Sequence, residues 1–476
     1  MTNNYLKGFE SQHNEMVLED VPVSGRLPEW LSGSLIRNGP GMLEAGDRPL
    51  NHWFDGYSQL HRFSFRGGKV SYQNKFLQSR GYQAVKETGR LSYREFATDP
   101  CVSLFKRVFS VFSPISEDEF SNNANVNISV VADQVVALTE VPVPMAFDPQ
   151  TLETVGVVDW EDDLQAQTGT AHPHYHAERK ATISYMTHFG AKSHYHVYQL
   201  PDGSRTRELI ASIPAQPVGY MHSFGISENY AVLVETPFIM DPLDLLLHKP
   251  IIKSLKWKPD RGTVFLVINL DDGKVRRFTA PAFATFHHAN AFEQDGALMV
   301  DMVCFDDSSI YTVDLYLDKL RDPEARPSQG RLWRYHIPLD QPDGSPATGE
   351  MIVDEAVALP RINYKGANTK PYRYVYGLST SKEEPEGFLN QLIKIDIEQR
   401  STMIWRQADC YPSEPVFVQA PSPQSEDDGV VLSVVLNGQT ERSFMLVLDA
   451  QTFEECARAE IPQHMPFNFH GAFFSA

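Results

Sequence analysis

The amino-acid sequence predicts an all-β fold, and two observations support it. Short runs of β-branched and aromatic residues recur along the 476 residues, and such runs favour strands. Asp-Gly dipeptides, which favour tight hairpin turns, bound several of them, as at Asp202-Gly203, Asp272-Gly273 and Asp295-Gly296. The clearest predicted strands are Asn127–Leu138, Ala181–Tyr185, Tyr230–Glu235, Thr263–Asn269, Ala297–Val303, Val430–Val435 and Ser443–Leu448.

Long amphipathic helical periods are few, and we expect helices only near Cys101–Phe112, Pro242–Trp257 and Tyr316–Leu320. Many evenly spaced strands are typical of a propeller, a sandwich or a barrel. The sequence lacks a crisp repeat of the WD type, which would single out a propeller. No shift in composition marks a linker, so we expect one domain over residues 1–476.

The formal charge of −19, without a basic stripe rich in aromatic residues, argues against nucleic acid as a partner. The four cysteines form no CxxC pair, which favours a reducing compartment. The N-terminus lacks the apolar segment of a signal peptide. No run reaches the ~18 apolar residues that span a bilayer. We therefore expect a cytoplasmic protein that is soluble or lies on a membrane.

Four of the 16 histidines have a spacing that bears on the architecture. From His172 to His222 is 50 residues, from His222 to His287 is 65, and from His287 to His470 is 183. Propeller blades run to roughly 40–50 residues, and longer with insertions. Seven blades in this chain would average 68 residues. If each histidine lies on the inner strand of a different blade, the four side chains converge on the central axis.

The densest histidine cluster is Ala171-His172-Pro173-His174-Tyr175-His176. On a strand, positions i, i+2 and i+4 share one face. The three histidines of this cluster alone could therefore bind zinc or copper. Exposed strand histidines without a ligand give the same pattern, and the spacing leaves both interpretations open.

A series of motifs resembles those of the carotenoid cleavage oxygenase family over nearly the whole chain. Any one motif would be a weak signal, but their common order makes the resemblance specific. Around 109–128 and 414–435 the chain is similar to the animal branch, which includes the β-carotene oxygenases and the retinoid isomerohydrolase. The motifs are Arg37-Asn38-Gly39-Pro40, His52-Trp53-Phe54-Asp55-Gly56, Thr139-Glu140, Ala171-His172-Pro173-His174, Met221-His222-Ser223-Phe224-Gly225, Phe286-His287-His288-Ala289-Asn290, Tyr411-Pro412-Ser413-Glu414-Pro415, Glu426-Asp427-Asp428-Gly429 and Phe469-His470-Gly471.

The resemblance implies a seven-bladed β-propeller with a helical or loop cap over the face that carries the metal. It implies one Fe(II) ion per chain, with O₂ as the co-substrate. Imidazole suits Fe(II), and four neutral ligands leave coordination positions open for dioxygen. The neighbouring residues His174 and His288 would then be structural or hold nearby carbonyls. The implied ligands are His172, His222, His287 and His470.

Three glutamates support the ligand histidines in the family, and only two of them are present in this chain. A carboxylate that accepts the other ring N–H fixes the tautomer of a metal-bound histidine, and Glu140 and Glu414 match two such positions. Ala358 occupies the third, which by analogy leaves His287 without its carboxylate. Glu355 lies three residues earlier, an odd offset that points it elsewhere on a strand. We therefore expect weaker iron retention than in relatives.

The resemblance also assigns residues around the substrate. Thr139 would lie close to the iron and limit access to an open coordination position. Phe54, Phe305 and Phe469 match places that line the substrate cleft, and a role as core aromatics fits each of them as well.

Two stretches, 101–112 and 238–257, mix large apolar residues with lysine or arginine in an otherwise acidic chain. That mixture is typical of a surface that lies in the membrane interface, and a core helix gives the same pattern. Because carotenoids reside in membranes, we expect peripheral membrane contact through these stretches.

The expected reaction is oxidative cleavage of a conjugated C=C bond of a carotenoid or apocarotenoid to aldehydes, including products of the retinal type. One alternative on the same scaffold is cleavage of stilbenoid or phenylpropanoid alkenes, which the lack of a lysine in Asn122–Asn127 weakens. The others are a non-oxidative retinoid isomerohydrolase and a non-catalytic propeller that binds a carotenoid or a metal.

Overall fold

The computed structural model describes residues 4–99, 121–190, 192–241, 244, 250–383 and 388–476. Within these residues the strands form seven antiparallel sheets of four to six strands and two isolated strand pairs. The innermost strands of several neighbouring sheets contact one another, as Gly225–Ile226 and Ala284–Gln294 do, so they line a common axis. The protein is a seven-bladed β-propeller, as the sequence predicts, and the sheets are numbered I to VII around this axis.

The strands of sheets II to VI run outward from the axis in chain order. Sheet II contains Asn127–Val131, Gln134–Leu138, Met145–Phe147 and Thr154–Val157. Sheet III contains Thr168–Gly169, His174–His176, Ala181–His188, His194–Pro201 and Glu208–Pro214. Sheet IV contains Gly225–Ile226, Tyr230–Glu235, Thr263–Asn269 and Val275–Ala280. Sheet V contains Ala284–Gln294, Ala297–Phe305, Arg331–Pro338 and Thr348–Met351. Sheet VI contains Ala358–Arg361, Tyr374–Ser379, Gln391–Asp396 and Ser401–Trp405.

Sheets I and VII each take strands from both ends of the chain, which closes the ring. The last strand of the chain pairs with an early strand in sheet I, and the second strand of the chain pairs with a late strand in sheet VII. Sheet I contains Met16–Val21, Lys69–Phe76, Tyr57–Arg66, Gly33–Met42 and Gly471–Ser475. Sheet VII contains Val23–Gly25, Glu455–Glu460, Arg442–Asp449, Gly429–Asn437, Val416–Gln419 and Cys410–Pro412.

Apolar side chains fill the wedges between neighbouring sheets. Ile36 of sheet I packs in one cluster with Ile128 of sheet II, and Phe265 of sheet IV packs in one with Val300 of sheet V. All four are at most 5% exposed. Because full burial of such a side chain contributes roughly 1.5–3 kcal/mol, these wedges hold the ring of sheets together.

Most strand predictions are confirmed. Tyr230–Glu235 and Thr263–Asn269 coincide with observed strands, whereas the predicted run Asn127–Leu138 is a hairpin of two strands. The Asp295-Gly296 dipeptide forms a two-residue hairpin loop in which both residues have positive φ, 51° and 78°. Positive φ at both loop positions matches the right-handed twist of the flanking strands.

Helices are short and lie between strands. The longest one in the described part of the chain, Arg80–Thr88, begins after the Ser79 cap and ends at Gly89, whose φ is 65°. The short α-helices are Ile251–Ser254, Leu317–Leu320 and Tyr364–Ala367, the 3₁₀ turns are Asn4–Phe9, Trp53–Asp55 and Pro259–Arg261, and Ile310–Asp314 is a π-turn.

The helix expected near Tyr316–Leu320 is confirmed, but the one expected over Pro242–Trp257 is partly wrong. Within its described residues only Ile251–Ser254 is helical, and Leu255–Trp257 forms a strand pair with Phe238–Met240. Pairing with that neighbouring strand satisfies the backbone in place of a helix. The expected helix at 101–112 lies outside the described residues.

The segments around Trp53–Asp55 and Ile310–Leu320 form a cap. The Trp53 N–H donates to the carbonyl of Leu315 over 3.0 Å, and the Leu317 N–H donates to the carbonyl of Asn51 over 2.9 Å. Trp53, Ile310 and Leu315 face a cavity that reaches the axis of the propeller.

Candidate metal centre

Four of the seven sheets each bring one predicted histidine to the axis. His172 and His222 precede short strands near the axis in sheets III and IV. His287 lies within the first strand of sheet V, and His470 directly precedes the last strand of sheet I. The expectation that each histidine comes from a different blade therefore agrees with the structure.

The four imidazoles converge on one point. The Nε2 atoms of His172 and His222 are 3.0 Å apart, and those of His287 and His470 are 3.2 Å apart. One ring nitrogen from each of the four lies within 4.8 Å of the others. Five of the ring pairs have centroid separations of 4.5 to 5.1 Å, so a single cation can contact all four rings.

Electrostatics favours the neutral form of three of these rings, those of His172, His287 and His470. Burial, and then the mutual repulsion of the imidazoles, lowers the pKa of His172 and His287 well below the ordinary value. Burial also lowers the pKa of His470, against the opposing effect of Glu414. Neutral imidazole nitrogens suit transition metals, whereas Ca²⁺ and Mg²⁺ prefer oxygen ligands. The donor set therefore fits a transition-metal ion.

Two carboxylates orient two of the rings. The Nδ1 atoms of His222 and His470 each lie 2.7 Å from a carboxylate oxygen, of Glu140 and Glu414 respectively. Donation of Nδ1–H to a carboxylate leaves the Nε2 lone pair free to bind a metal. The structure thus places one carboxylate beside His222 and one beside His470.

The two carboxylates differ in their surroundings. Glu414 is fully buried and accepts hydrogen bonds from Arg37 over 2.5 Å and from the Gly471 N–H over 3.1 Å, and Arg361 approaches it to 3.5 Å. Although burial alone raises the pKa of Glu414, the charges of Arg361 and Arg37 and the hydrogen bond from His470 lower it to about 2.

Glu140, in contrast, is 18% exposed and has no arginine partner in the described part of the chain. Its Oε1 atom accepts hydrogen bonds from both His222 and the hydroxyl of Tyr220, each over 2.7 Å. The sequence analysis did not identify Tyr220 as a partner of Glu140, although it lies two residues before His222.

His287 lacks such a carboxylate, as the sequence predicts. Its Nδ1 has no hydrogen-bond partner among the residues that the structure describes, and Ala358 lines the same cavity. Glu355 points away, towards Lys382 at 3.7 Å.

The neighbouring histidines bind protein groups instead of joining the quartet. His174 Nε2 lies 2.9 Å from the carbonyl of Phe224, and His176 Nε2 lies 2.9 Å from that of Glu228. His288 Nδ1 lies 2.8 Å from the hydroxyl of Ser223. A separate metal site within 172–176 therefore does not form.

An apolar cavity opens beside His222, His287 and His470. Phe54, Phe305 and Phe469 line this cavity, whereas Thr139 is not among its lining residues. The polar lining residues include Arg326, Ser328 and Gln329, of which Arg326 and Gln329 are exposed. Lining residues that the sequence analysis did not single out include Val126, Phe286, Ile310, Val357 and Phe388.

No helix in the described residues is long and apolar enough to cross a membrane.

Comparisons with known proteins match nearly the whole chain. A sequence profile for the retinal pigment epithelial membrane protein matches residues 9–475. The chain is 33% identical over 511 residues to β,β-carotene 15,15′-dioxygenase of Rattus norvegicus, which covers 95% of this chain and 88% of that protein. It is also 33% identical over 499 residues to carotenoid isomerooxygenase of Galleria mellonella, which covers 98% of this chain and 96% of that protein.

Solved structures show the same similarity in three dimensions. A variant of the Synechocystis apocarotenoid oxygenase has a TM-score of 0.88 and 27% identity, covering 99% of this chain and 98% of that one. The cobalt-substituted form of that oxygenase has a TM-score of 0.87 at the same identity and coverage.

Proposed function

Because the chain belongs to the carotenoid oxygenase family, which includes the retinal pigment epithelial membrane protein, we propose that it cleaves a conjugated C=C bond of a carotenoid or apocarotenoid. The reaction adds one O₂ across the bond and yields two carbonyl products, each carrying one oxygen atom. One observation carries this proposal: four Nε2 atoms converge at the side of a largely apolar cavity. A hydrocarbon polyene fits such a cavity, because it offers few groups for hydrogen bonds.

We propose that the quartet holds Fe(II). When bound, the iron supplies the redox chemistry that combines O₂ with the double bond. The chain contributes ligand geometry: Glu140 and Glu414 hold His222 and His470 with their Nε2 atoms turned inward.

The cavity wall places the polyene and excludes water. Phe54 packs against the ring of His222, with 6.2 Å between the ring centroids and an interplanar angle of 17°. Phe469 packs against Phe54 at 5.3 Å. These contacts support the proposal that both phenylalanines contact the substrate next to the metal.

The reaction can be tested by cleavage under ¹⁸O₂ with β-carotene and an apocarotenal as separate substrates. We expect one labelled oxygen in each carbonyl product, with short incubation to limit exchange with water. An isomerohydrolase would consume no oxygen, and a binding protein would release no product. Resveratrol serves as the substrate for the stilbenoid alternative, and its cleavage in place of the carotenoids would overturn the proposal.

Two matched variants test which histidines act. His172→Gln removes a ligand of the quartet, and we expect loss of bound iron and of activity. His176→Gln alters the same motif outside the quartet and is expected to keep both. Iron is measured by mass spectrometry of the purified proteins. If His176→Gln lost iron as fully as His172→Gln, the four-histidine assignment would fail.

We also propose peripheral contact with a membrane, supported by the cationic and apolar mixture in the sequence. The described part of 238–257 does not supply this surface, because Phe238, Met240, Ile252 and Leu255 are at most 6% exposed. The proposal therefore depends on 101–112 and 245–249, which lie outside the described residues.

Liposome flotation tests the membrane contact. We expect Phe109→Ser with Leu246→Ser to reduce the fraction of protein that floats with the vesicles. Ile252→Ser is the control: its side chain is 3% exposed, so it is expected to lower thermal stability instead of flotation. Unchanged flotation of the double variant would contradict the docking assignment.

A further inference from the structure

A second group of histidines lies on sheet III, away from the quartet. His188 ends one strand, and His194 and His196 begin the next. The strand register pairs His188 directly with His194. Alternate residues of a strand share a face, and cross-strand partners share it too. The three imidazoles therefore lie on one face of the sheet, and the proposed reaction uses none of them.

The rings are close to one another. The centroids of His194 and His196 are 5.9 Å apart, with the ring planes nearly parallel at 4°. The centroids of His188 and His196 are 6.2 Å apart. In the central quartet the corresponding separations are 4.5 to 5.1 Å. The three side chains are partly exposed, and binding one ion requires their rings to rotate about the side-chain bonds so that the ring nitrogens come closer.

Two of the three rings have a nitrogen that is free to bind a ligand. His194 Nδ1 lies 3.1 Å from the carbonyl of Lys192, and donation of Nδ1–H to that carbonyl leaves the Nε2 lone pair free. The same arrangement fixes the tautomer of metal-bound histidines. His196 Nδ1 is buried and has no hydrogen-bond partner within the described residues, which is rare in native structures.

The protonation state of His196 also suits a metal ligand. Burial, and then the proximity of His188 and His194, lowers the pKa of His196, so its ring is neutral at pH 7. A metal ligand must be deprotonated, and a neutral ring needs no proton release to bind.

We propose that His188, His194 and His196 form a second transition-metal site that binds Zn²⁺. Three imidazoles leave the fourth tetrahedral position of Zn²⁺ to water. The site is separate from the four-histidine centre and does not depend on the proposed cleavage reaction.

The test is equilibrium dialysis of the iron-loaded protein against micromolar Zn²⁺, with iron and zinc measured together by mass spectrometry. We expect about one zinc per chain in addition to the retained iron. His188→Gln and His196→Gln are each expected to weaken this zinc binding by at least about tenfold, with iron content unchanged.

The matched control is His336→Gln, which removes an exposed strand histidine on sheet V. It should leave zinc binding at the wild-type level. The proposal fails if the wild type binds zinc only by losing iron, or if His336→Gln loses as much zinc as His196→Gln. Circular dichroism checks that each variant is folded. If His196→Gln does not fold, the zinc binding of His188→Gln, whose substitution is at the strand end, tests the proposal.

Discussion

Replacing Glu414 by alanine is expected to lower the free energy of unfolding by about 3–5 kcal/mol and to remove most of the bound metal. The carboxylate is fully buried and balances Arg37, which is also fully buried. Without Glu414, the Arg37 guanidinium stays buried without its counter-charge, and His470 loses the acceptor that orients it. Chemical denaturation measures the first effect, and metal content after dialysis measures the second.

Glu140→Ala is the matched variant for this experiment. Glu140 also orients a histidine, but it is 18% exposed and balances no buried arginine among the described residues. We expect it to weaken metal retention with a much smaller loss of stability. Equal destabilisation by the two variants would show that the buried charge of Arg37 is not the cause.

The pH dependence of stability gives the same prediction an independent readout. The folded-state pKa of Glu414 is about 2, below the ordinary value of about 4.3 in an unfolded chain. Its contribution to stability is therefore complete above about pH 4.3 and is lost as the pH falls towards 2. Glu414→Ala should lack this component, so the difference in stability between wild type and variant should shrink over that interval.

Placing a glutamate at position 358 is expected to strengthen metal retention by about 10–100-fold, the range by which loss of such a supporting group weakens it. Ala358 lines the same cavity as His287, whose Nδ1 has no partner in the described part of the chain. A carboxylate there can accept Nδ1–H, as Glu140 and Glu414 do for their histidines. Competition with a chelator measures the change in iron affinity.

Two further variants separate the causes of that effect. Ala358→Gln offers a hydrogen-bond acceptor without charge, and we expect a smaller gain than for Ala358→Glu. Glu355→Gln should leave iron affinity unchanged, because Glu355 faces Lys382. A marked loss of iron in Glu355→Gln, or no gain in Ala358→Glu, would contradict the idea that His287 lacks support.

Local sequence predicted some parts of the structure well and others poorly. Strands such as Thr263–Asn269 were recognisable because their β-branched and apolar residues suit a buried blade. The structure of residues 242–257 was harder to predict, since apolar residues with lysines suit a core helix, a membrane surface or a buried strand. In the structure Ile252 is buried, and Leu255–Trp257 pair with Phe238–Met240. The described residues of this run therefore belong to the core and to a strand pair.

The residues that line the cavity show a second limit of prediction from the sequence. The family resemblance assigns Thr139 a place near the metal, and that assignment stays a prediction. Val126, which the sequence analysis did not single out, lines the cavity, and its N–H donates to the carbonyl of Leu138 across the hairpin. No motif in the sequence marks that cross-strand neighbour.

Strand patterns are local properties, so the amino-acid sequence was enough to predict the all-β class. The resemblance of its ordered motifs to a known family supplied the prediction of the four histidines, the two supporting glutamates and the missing one at Ala358. The folded structure was needed to show which nitrogens converge and how charge is balanced around Glu414. It was also needed to separate the apolar residues that face the cavity from those that fill the core, and to show that three histidines of sheet III share one face. These properties arise where distant segments meet, since contact and burial depend on the register and packing of separate sheets.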